Sequence, residues 1–226
     1  MRYKLSLSSK ADGFTGSRPC PFHRLLVTAI LLVGAAVVPG HAAMPCGAGF
    51  TAVGSVATGN TPQVIATGDF NRDGFIDFAV AIAGSNSFSI MLGNGSGSFQ
   101  NHATYTFGVF TNFVAAADLN RDGKLDLIVT SEYQNGVFLG AGDGTFSQVA
   151  SLPTGQGARS PVVADFNRDG KPDIALAVYT GGAISLFIGN GNGTFQAPTS
   201  YANPYTTRIV LGDYNRDGNA DLISIR

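Results

Sequence analysis

Tryptophan is absent from this sequence, which also contains only two cysteines, three histidines and three methionines. Tryptophan is the most common platform for stacking on sugars, so its absence weighs against an ordinary sugar-binding protein. Cys20 lies in the N-terminal leader described below, which leaves Cys46 as the one remaining cysteine. A single cysteine cannot form an internal disulfide, so an exported form of this chain needs another source of stability.

The first 42 residues have the pattern of a secretory signal peptide. Basic residues between Arg2 and Arg24 precede the uncharged run LLVTAILLVGAAVV at 25–38, and Gly40 and Ala42 supply the small residues that a signal peptidase requires. This run is too short to span about 30 Å of hydrocarbon comfortably. We therefore predict a signal peptide over residues 1–42 and no stable membrane span after cleavage. The location we expect is secreted, either extracellular or periplasmic.

Without this leader the chain is moderately acidic. Residues 43–226 contain nine basic and 14 acidic residues, which gives a formal net charge of −5. They contain no stripe of lysine or arginine, so nucleic acid is not an expected partner.

One acidic segment occurs four times at a nearly fixed spacing. The copies DFNRDGFID, DLNRDGKLD, DFNRDGKPD and DYNRDGNAD begin at Asp69, Asp118, Asp165 and Asp213, so successive copies are 49, 47 and 48 residues apart. A glycine-rich marker (LGNGSGSF, LGAGDGTF, IGNGNGTF) follows three of them in phase. Two markers in phase indicate a repeat protein. We place the repeat domain at 43–226, with units near 64–110, 111–159 and 160–207 and a partial unit at 208–226.

Each unit reads as four short strands. In the third unit an apolar approach precedes the acidic segment, two alternating apolar runs follow it, and the polar stretch 194–202 ends the unit. Four strands in about 48 residues is the size of a β-propeller blade. The predicted fold is all-β, with three full four-stranded blades and partial units at both ends, where 46–59 supplies a strand. The blades form either an incomplete propeller or a four-bladed ring, and unpaired edges in an open form would favour homo-oligomers.

The acidic segments have the composition of calcium-binding loops. Each has the form D-x-N-x-D-G-x-x-D, which places oxygen side chains at positions 1, 3, 5 and 9 and a backbone carbonyl at position 7. Hard oxygen ligands on a tight loop suit Ca²⁺, and glycine at position 6 lets the chain curl around the ion. We predict up to four Ca²⁺ ions. The predicted ligands are Asp69, Asn71, Asp73, Phe75 and Asp77; Asp118, Asn120, Asp122, Lys124 and Asp126; Asp165, Asn167, Asp169, Lys171 and Asp173; and Asp213, Asn215, Asp217, Asn219 and Asp221.

Two other kinds of loop, EF-hand loops and ordinary turns, have sequences similar to these segments. EF-hand loops need an acidic residue at position 12 and a following helix, whereas here position 12 is Val80, Val129, Leu176 or Ser224 and strand-forming residues follow. Ordinary turn chemistry also uses Asp, Asn and Gly. However, 12 of the 14 acidic residues after the leader occupy these loops. Such clustering is costly unless a cation offsets the repulsion.

The loop followed by an apolar strand and a GNGxGTF-like hairpin resembles the FG-GAP/VCBS repeat of bacterial exported proteins. It is also similar to the calcium-loaded blades of integrin α-subunit propellers. The resemblance covers residues 50–226 and implies propeller blades with Ca²⁺ in the loops between strands. It also implies a role in adhesion or ligand recognition, without naming the ligand.

Few groups remain for catalysis outside the loops. His102 is the one histidine after the leader, and Glu132 and Asp143 are the only acids outside the loops. Acid–base chemistry needs a pair of free groups, so we predict that the chain is not an enzyme. The expected role is an adhesion, binding or scaffold module for a protein or glycan ligand. The alternatives are a lectin-like module and a non-catalytic domain that accompanies a secreted enzyme.

Overall fold

The strands of the repeat region form four antiparallel sheets. The computed structural model describes residues 55–225, so the predicted signal peptide and Cys46 lie outside the described residues. The strands are β1 (Pro62–Gly68), β2 (Asp77–Ile82), β3 (Ser87–Gly93), β4 (Phe99–Thr106), β5 (Phe113–Ala117), β6 (Asp126–Thr130), β7 (Asn135–Gly140), β8 (Phe146–Ser151), β9 (Ala158–Ala164), β10 (Asp173–Val178), β11 (Ala183–Phe187), β12 (Thr199–Ala202), β13 (Arg208–Gly212) and β14 (Asp221–Ile225). One 3-10 turn, Ala83–Ser85, is the only helical element among the described residues. None of these residues forms a helix long and apolar enough to cross a membrane.

Each sheet is a simple meander in which consecutive strands pair. Three sheets contain four strands, in the orders β1-β2-β3-β4, β5-β6-β7-β8 and β9-β10-β11-β12, and the fourth contains β13 and β14. This arrangement confirms the predicted all-β fold of four-stranded, blade-like repeats. The first strands of neighbouring sheets contact each other in order, β1 with β5, β5 with β9, and β9 with β13.

Burial changes across each sheet as the sequence pattern predicts. Every residue of β2, β6 and β10 is buried, because these apolar second strands are covered on both faces. The fourth strands β4, β8 and β12 are mostly exposed, in keeping with their polar sequences. An outer strand has one edge in water, so its polar side chains can remain hydrated.

The apolar cores lie between neighbouring sheets. Between the first two sheets, Phe88 of β3 meets Phe138 of β7 edge to face, with ring centroids 4.9 Å apart. Phe70 meets Phe146 in the same manner at 5.5 Å. Pairs of this geometry contribute about 0.5–1.5 kcal/mol each beyond their buried area. Aromatic packing therefore holds these blades together without a disulfide.

Two predicted strands differ from the structure. The polar stretch 194–202 forms a strand only at β12, and Phe195 before it makes a single bridge to Gly189. Pro198 lies between the two segments and has no N–H to donate, which accounts for the gap. Residues 55–59 of the predicted N-terminal strand form no strand, and 46–54 lie outside the described residues. Positive φ angles at Gly59 and Thr61 turn the chain just before β1.

A glycine ends β3 and β7, and Gly189 lies two residues after the end of β11, because no side chain fits at these positions. A Cβ atom on Gly140 would lie 2.2 Å from the carbonyl oxygen of Leu125, and Gly93 and Gly189 are equally close to Ile76 and Pro172. Real Cβ atoms do not approach a backbone oxygen so closely. The glycine therefore lets β7 and the acidic loop lie in direct contact.

We predict that Gly140→Ala lowers the free energy of unfolding by about 1–3 kcal/mol, the usual cost of overpacking. Denaturant unfolding would measure this change. Gly155→Ala is the matched control, because its Cβ would meet only Val178 at 3.6 Å, an ordinary contact. Equal stability of the two variants would show that the close approach at Gly140 costs nothing.

Candidate metal centres

Each acidic segment connects the first and second strands of its sheet. The first aspartate directly follows β1, β5, β9 or β13, and the ninth residue is the first residue of β2, β6, β10 or β14. The loops therefore join two strands, as their sequences predict, and no helix follows them.

The four loops share one pattern of hydrogen bonds. The backbone N–H of position 5 donates to Oδ1 of position 1 at 3.1 Å in every copy. The same N–H donates to Oδ1 of position 3 at 2.9–3.1 Å. The glycine N–H at position 6 donates to Oδ2 of position 1 at 2.8–3.0 Å. Because the oxygens of positions 1 and 3 share one amide, they lie on the same side of the loop.

Two residues of each loop have a left-handed backbone. Position 6 is glycine, with φ between 79° and 86°, as expected for a tight turn. Position 4 is arginine in every copy, with φ between 61° and 63°. Few residues other than glycine adopt this region, so the arginine backbone is part of the loop geometry. The D-x-N-x-D-G pattern predicts the turn at the glycine, but it gives no sign of this role of the arginine.

The aspartate at position 9 lies beneath the loop. Asp77, Asp126 and Asp173 have no exposed surface. In each, Oδ2 accepts from the position 2 N–H at 2.8–2.9 Å, and Oδ1 accepts from the N–H of Gly93, Gly140 or Gly189 at 2.8–2.9 Å. Asp221 accepts the equivalent position 2 bond, from Tyr214 at 3.0 Å, and has no such glycine bond among residues 55–225. This carboxylate therefore ties the loop to the third strand.

Burial and neighbouring charge act against the ionised form of this aspartate. Burial raises the pKa of Asp126, and repulsion from Asp122 and Asp118 raises it further, against the lowering effect of its two backbone hydrogen bonds. Burial also raises the pKa of Asp77, with Asp73 as the repelling neighbour. The carboxylates of one loop are thus close enough to repel one another.

At position 5, by contrast, hydrogen bonds favour the ionised form of the carboxylate. The N–H of position 7 donates to its Oδ1 at 2.7–2.9 Å in all four loops. Hydrogen bonds from Lys124 and Lys171 lower the pKa of Asp122 and Asp169, and the side chain of Asn219 is the largest cause of the lowered pKa of Asp217. Lys124 and Lys171 also form exposed ion pairs with Asp122 and Asp169 at 3.4 and 3.3 Å, which contribute little to stability.

The predicted ligands of each loop lie within that loop, but their carboxylate oxygens accept hydrogen bonds from amide N–H groups. Among residues 55–225, no three side chains of His, Cys, Asp or Glu come together in a metal-binding cluster. The donor set still suits a hard cation, since every side-chain ligand is a carboxylate or amide oxygen and the carboxylates repel one another. The loops are thus hydrogen-bonded turns whose side chains are of the kind that bind hard cations.

The acids outside the loops are far apart. Glu132 lies in the connection before β7, whereas Asp143 lies in the turn after β7. Thr145 donates from its N–H and its hydroxyl to Asp143, at 2.9 and 2.6 Å, and these bonds are the main cause of its lowered pKa. Opposite ends of one strand do not provide a pair of groups for acid–base chemistry.

We predict that Asp126→Asn lowers the free energy of unfolding by about 1–3 kcal/mol in calcium-free buffer with chelator. Asparagine has one oxygen, so the N–H of either Leu119 or Gly140 would face an NH₂ group and lose its acceptor. Denaturant unfolding is again the measurement. Asp143→Asn should have almost no effect, because Asn192 holds the equivalent turn with the same two bonds from Thr194. A fully stable Asp126→Asn protein would disprove the structural role of this carboxylate.

Comparison with solved structures finds partial similarity to three larger proteins. The structure of the Photorhabdus luminescens Tc holotoxin pore matches at 17% identity, 72% coverage of this chain, 8% of that chain and a TM-score of 0.45. BBS1N in complex with ARL6DN matches at 12% identity, 74% and 54% coverage and a TM-score of 0.49. The V. cholerae biofilm matrix protein Bap1 matches at 17% identity, 74% and 29% coverage and a TM-score of 0.44. This chain thus spans about half or less of the length of each.

No curated protein matches the sequence significantly. A family model described as the FG-GAP-like repeat matches three overlapping stretches, residues 69–129, 118–176 and 171–224. The first two stretches each contain two complete acidic loops, whereas the third begins near the end of the third loop and contains the complete fourth loop. The matched stretches cover more than half of the chain, and the chain therefore belongs to the FG-GAP-like repeat family.

Proposed function

We propose that this chain is an exported calcium-binding repeat protein that acts as a binding, adhesion or scaffold module. The observation that carries the proposal is the fourfold recurrence of one oxygen-rich loop with the same backbone geometry, in a chain of the FG-GAP-like repeat family. A binding or scaffold role fits this family, and the loops give it a calcium requirement.

Calcium would offset the negative charge of the loops. Three carboxylates belong to each loop, and burial and repulsion already raise the pKa of Asp77 and Asp126. Positions 1, 3 and 5, the carbonyl of position 7 and the ninth carboxylate would hold the ion. A bound divalent cation would remove the repulsion and link the first two strands of each blade.

Export would supply the ion. Calcium modules outside the cell bind with dissociation constants of about 10⁻⁴–10⁻³ M, which suits extracellular fluid and not the cytoplasm. The basic and apolar leader over 1–42 is the basis for proposing export. Because a lone cysteine cannot crosslink the chain, metal-linked loops would take the stabilising role that disulfides have in other exported proteins.

Exposed aromatic side chains favour a second candidate, a lectin-like module. Tyr133, Tyr179 and Tyr205 have 61%, 45% and 70% of their surface exposed. Each lies in a connection at the same end of the sheets, between β6 and β7, β10 and β11, or β12 and β13. Binding to a glycan array would indicate a glycan ligand. Loss of binding to intact cells after removal of their surface proteins would indicate a protein ligand.

Calcium should raise the thermal unfolding midpoint. Each site with a dissociation constant near the tighter limit contributes about 2.7 kcal/mol at a hundredfold excess of free calcium. Calorimetry with calcium, with magnesium and with chelator would measure this effect, and light scattering alongside it would report homo-oligomers. Identical midpoints in calcium and chelator would contradict the proposed calcium sites.

Asp169→Ala should remove about one bound ion from the calcium stoichiometry. Position 5 supplies a ligand and receives the N–H of Lys171, so this variant loses both interactions in the third loop. Isothermal titration and equilibrium dialysis would count the ions. Asp143→Asn is the control for loss of one exposed carboxylate and should keep the full number. An unchanged count in Asp169→Ala would exclude this loop as a site.

A further inference from the structure

The first strands of the four sheets surround a cavity of about 260 Å³. Its lining includes Gln63, Asn112, Phe113, Arg159 and Arg208. This volume is just below the roughly 300–1,000 Å³ of sites for drug-sized molecules, so the cavity admits one small group or ring.

Equivalent positions of all four repeats line this cavity. Gln63, Asn112, Arg159 and Thr207 each lie six residues before the first aspartate of their loop, and Val64, Phe113 and Arg208 lie five residues before it. The repeat therefore places the same two backbone positions around one point. Their side chains differ: two units supply amides and two supply guanidinium groups.

Arg159 has an unused donor. Its Nε is buried and has no hydrogen-bond partner among the described residues. Its guanidinium carbon lies 5.3 Å from the centroid of the Tyr179 ring. A buried polar group without a partner costs about 1–3 kcal/mol, so Arg159 is held at the edge of the cavity at a cost to stability.

The backbone beside Arg159 is held in an unusual conformation. Ser160 has a φ of 50°, and the pairing of β9 with β10 shifts at this point. The Ser160 hydroxyl donates to the carbonyl of Ile209 at 3.0 Å and accepts from its N–H at 3.2 Å. The bulge thus ties β9 to β13 and fixes Arg159 relative to Arg208. Such strain often accompanies binding sites.

Neither arginine forms an ion pair with a described acidic side chain. Among residues 55–225, no carboxylate lies within 4.0 Å of either guanidinium group. The acidic loops follow the opposite ends of the same strands. From Arg159 to the end of β9 at Ala164 the chain extends about 17 Å, at about 3.3 Å per residue. This distance exceeds the Debye length of about 8 Å at physiological salt. The negative charge of the loops therefore has little effect on the electrostatic potential at the two arginines.

Exposed aromatic rings lie at the same end of the sheets as the cavity. Phe110 precedes β5, and Tyr133, Tyr179 and Tyr205 occupy other connections at this end. Backbone hydrogen bonds join these connections in series, from Glu132 N–H to Val109, from Gly157 N–H to Glu132, and from Tyr179 N–H to Gly157. This end therefore combines positive charge, amide groups and apolar rings.

We propose that the cavity binds an acidic sugar, whose carboxylate or sulfate group lies between Arg159 and Arg208. Guanidinium groups bind such oxyanions with two parallel hydrogen bonds. Gln63 and Asn112 supply amides for hydroxyl groups, and Phe113, the aromatic residue in the lining, supplies apolar surface for the sugar ring. This proposal rests on the binding role proposed above and names its ligand class, but it does not depend on calcium binding.

Isothermal titration of the purified protein with glucuronate, glucose 6-sulfate and glucose tests the proposal. At least one anionic sugar should bind saturably with one site per chain, and glucose should bind at least tenfold more weakly. The better of the two anionic sugars identifies the acidic group. Arg159→Gln and Arg208→Gln should each weaken binding by about tenfold or more, as expected for loss of a charged hydrogen bond.

Arg121→Gln is the matched control, because it removes one positive charge at the opposite end of the sheets and should leave the affinity unchanged. Arg208 is exposed, so its variant remains informative if Arg159→Gln unfolds. The proposal is overturned if neither anionic sugar saturates, if glucose binds equally well, or if Arg121→Gln weakens binding as much as Arg208→Gln. The calcium-dependent unfolding midpoint, measured separately, shows whether the loops fail as well.

Discussion

The buried aspartate at the start of β2, β6 and β10 makes the hydrogen bonds on which the geometry of the full blades depends. In the second blade, the two oxygens of Asp126 accept one N–H from the acidic loop and one from Gly140 at the end of β7, so one side chain joins three segments. The glycine must lack a side chain because the loop carbonyl of Leu125 occupies that space. The charge is costly to bury, and the two hydrogen bonds offset part of this cost. Loop, glycine and aspartate therefore recur together in each full unit.

Under the proposed function, the acidic loops would serve two purposes with the same atoms. Without an ion, the first, third and fifth side chains accept loop amides and hold the turn. With the ion we propose, the same oxygens would face a cation, and their remaining lone pairs would allow both interactions. Burial first, and repulsion from Asp122 and Asp118 second, raise the pKa of Asp126, and relief of this repulsion would favour ion binding. A hydrogen-bonded turn that precedes ion binding would also reduce the entropy lost on binding.

Opposite charges occupy opposite ends of the inner strands. The acidic loops follow these strands, whereas Arg159 and Arg208 lie at their beginnings, beside exposed tyrosines. A sheet that only closed a core would not require this separation. With the proposed ligand, one end of the sheets would serve stability and the other recognition. The strand length keeps the two ends electrostatically independent at physiological salt.

The sequence by itself determined the repeat, the four-stranded sheets and the composition of the loops, because these depend on local periodicity and turn chemistry. The phased DxNxDG segments located every loop, and the alternating apolar runs located most strands. Tertiary structure alone decided that the ninth aspartate is buried beneath the loop, that Gly140 touches Leu125, and that Arg159 and Arg208 line one cavity. Each of these contacts joins segments whose proximity arises only when sheets pack against one another, and no local pattern in the sequence encodes that distance.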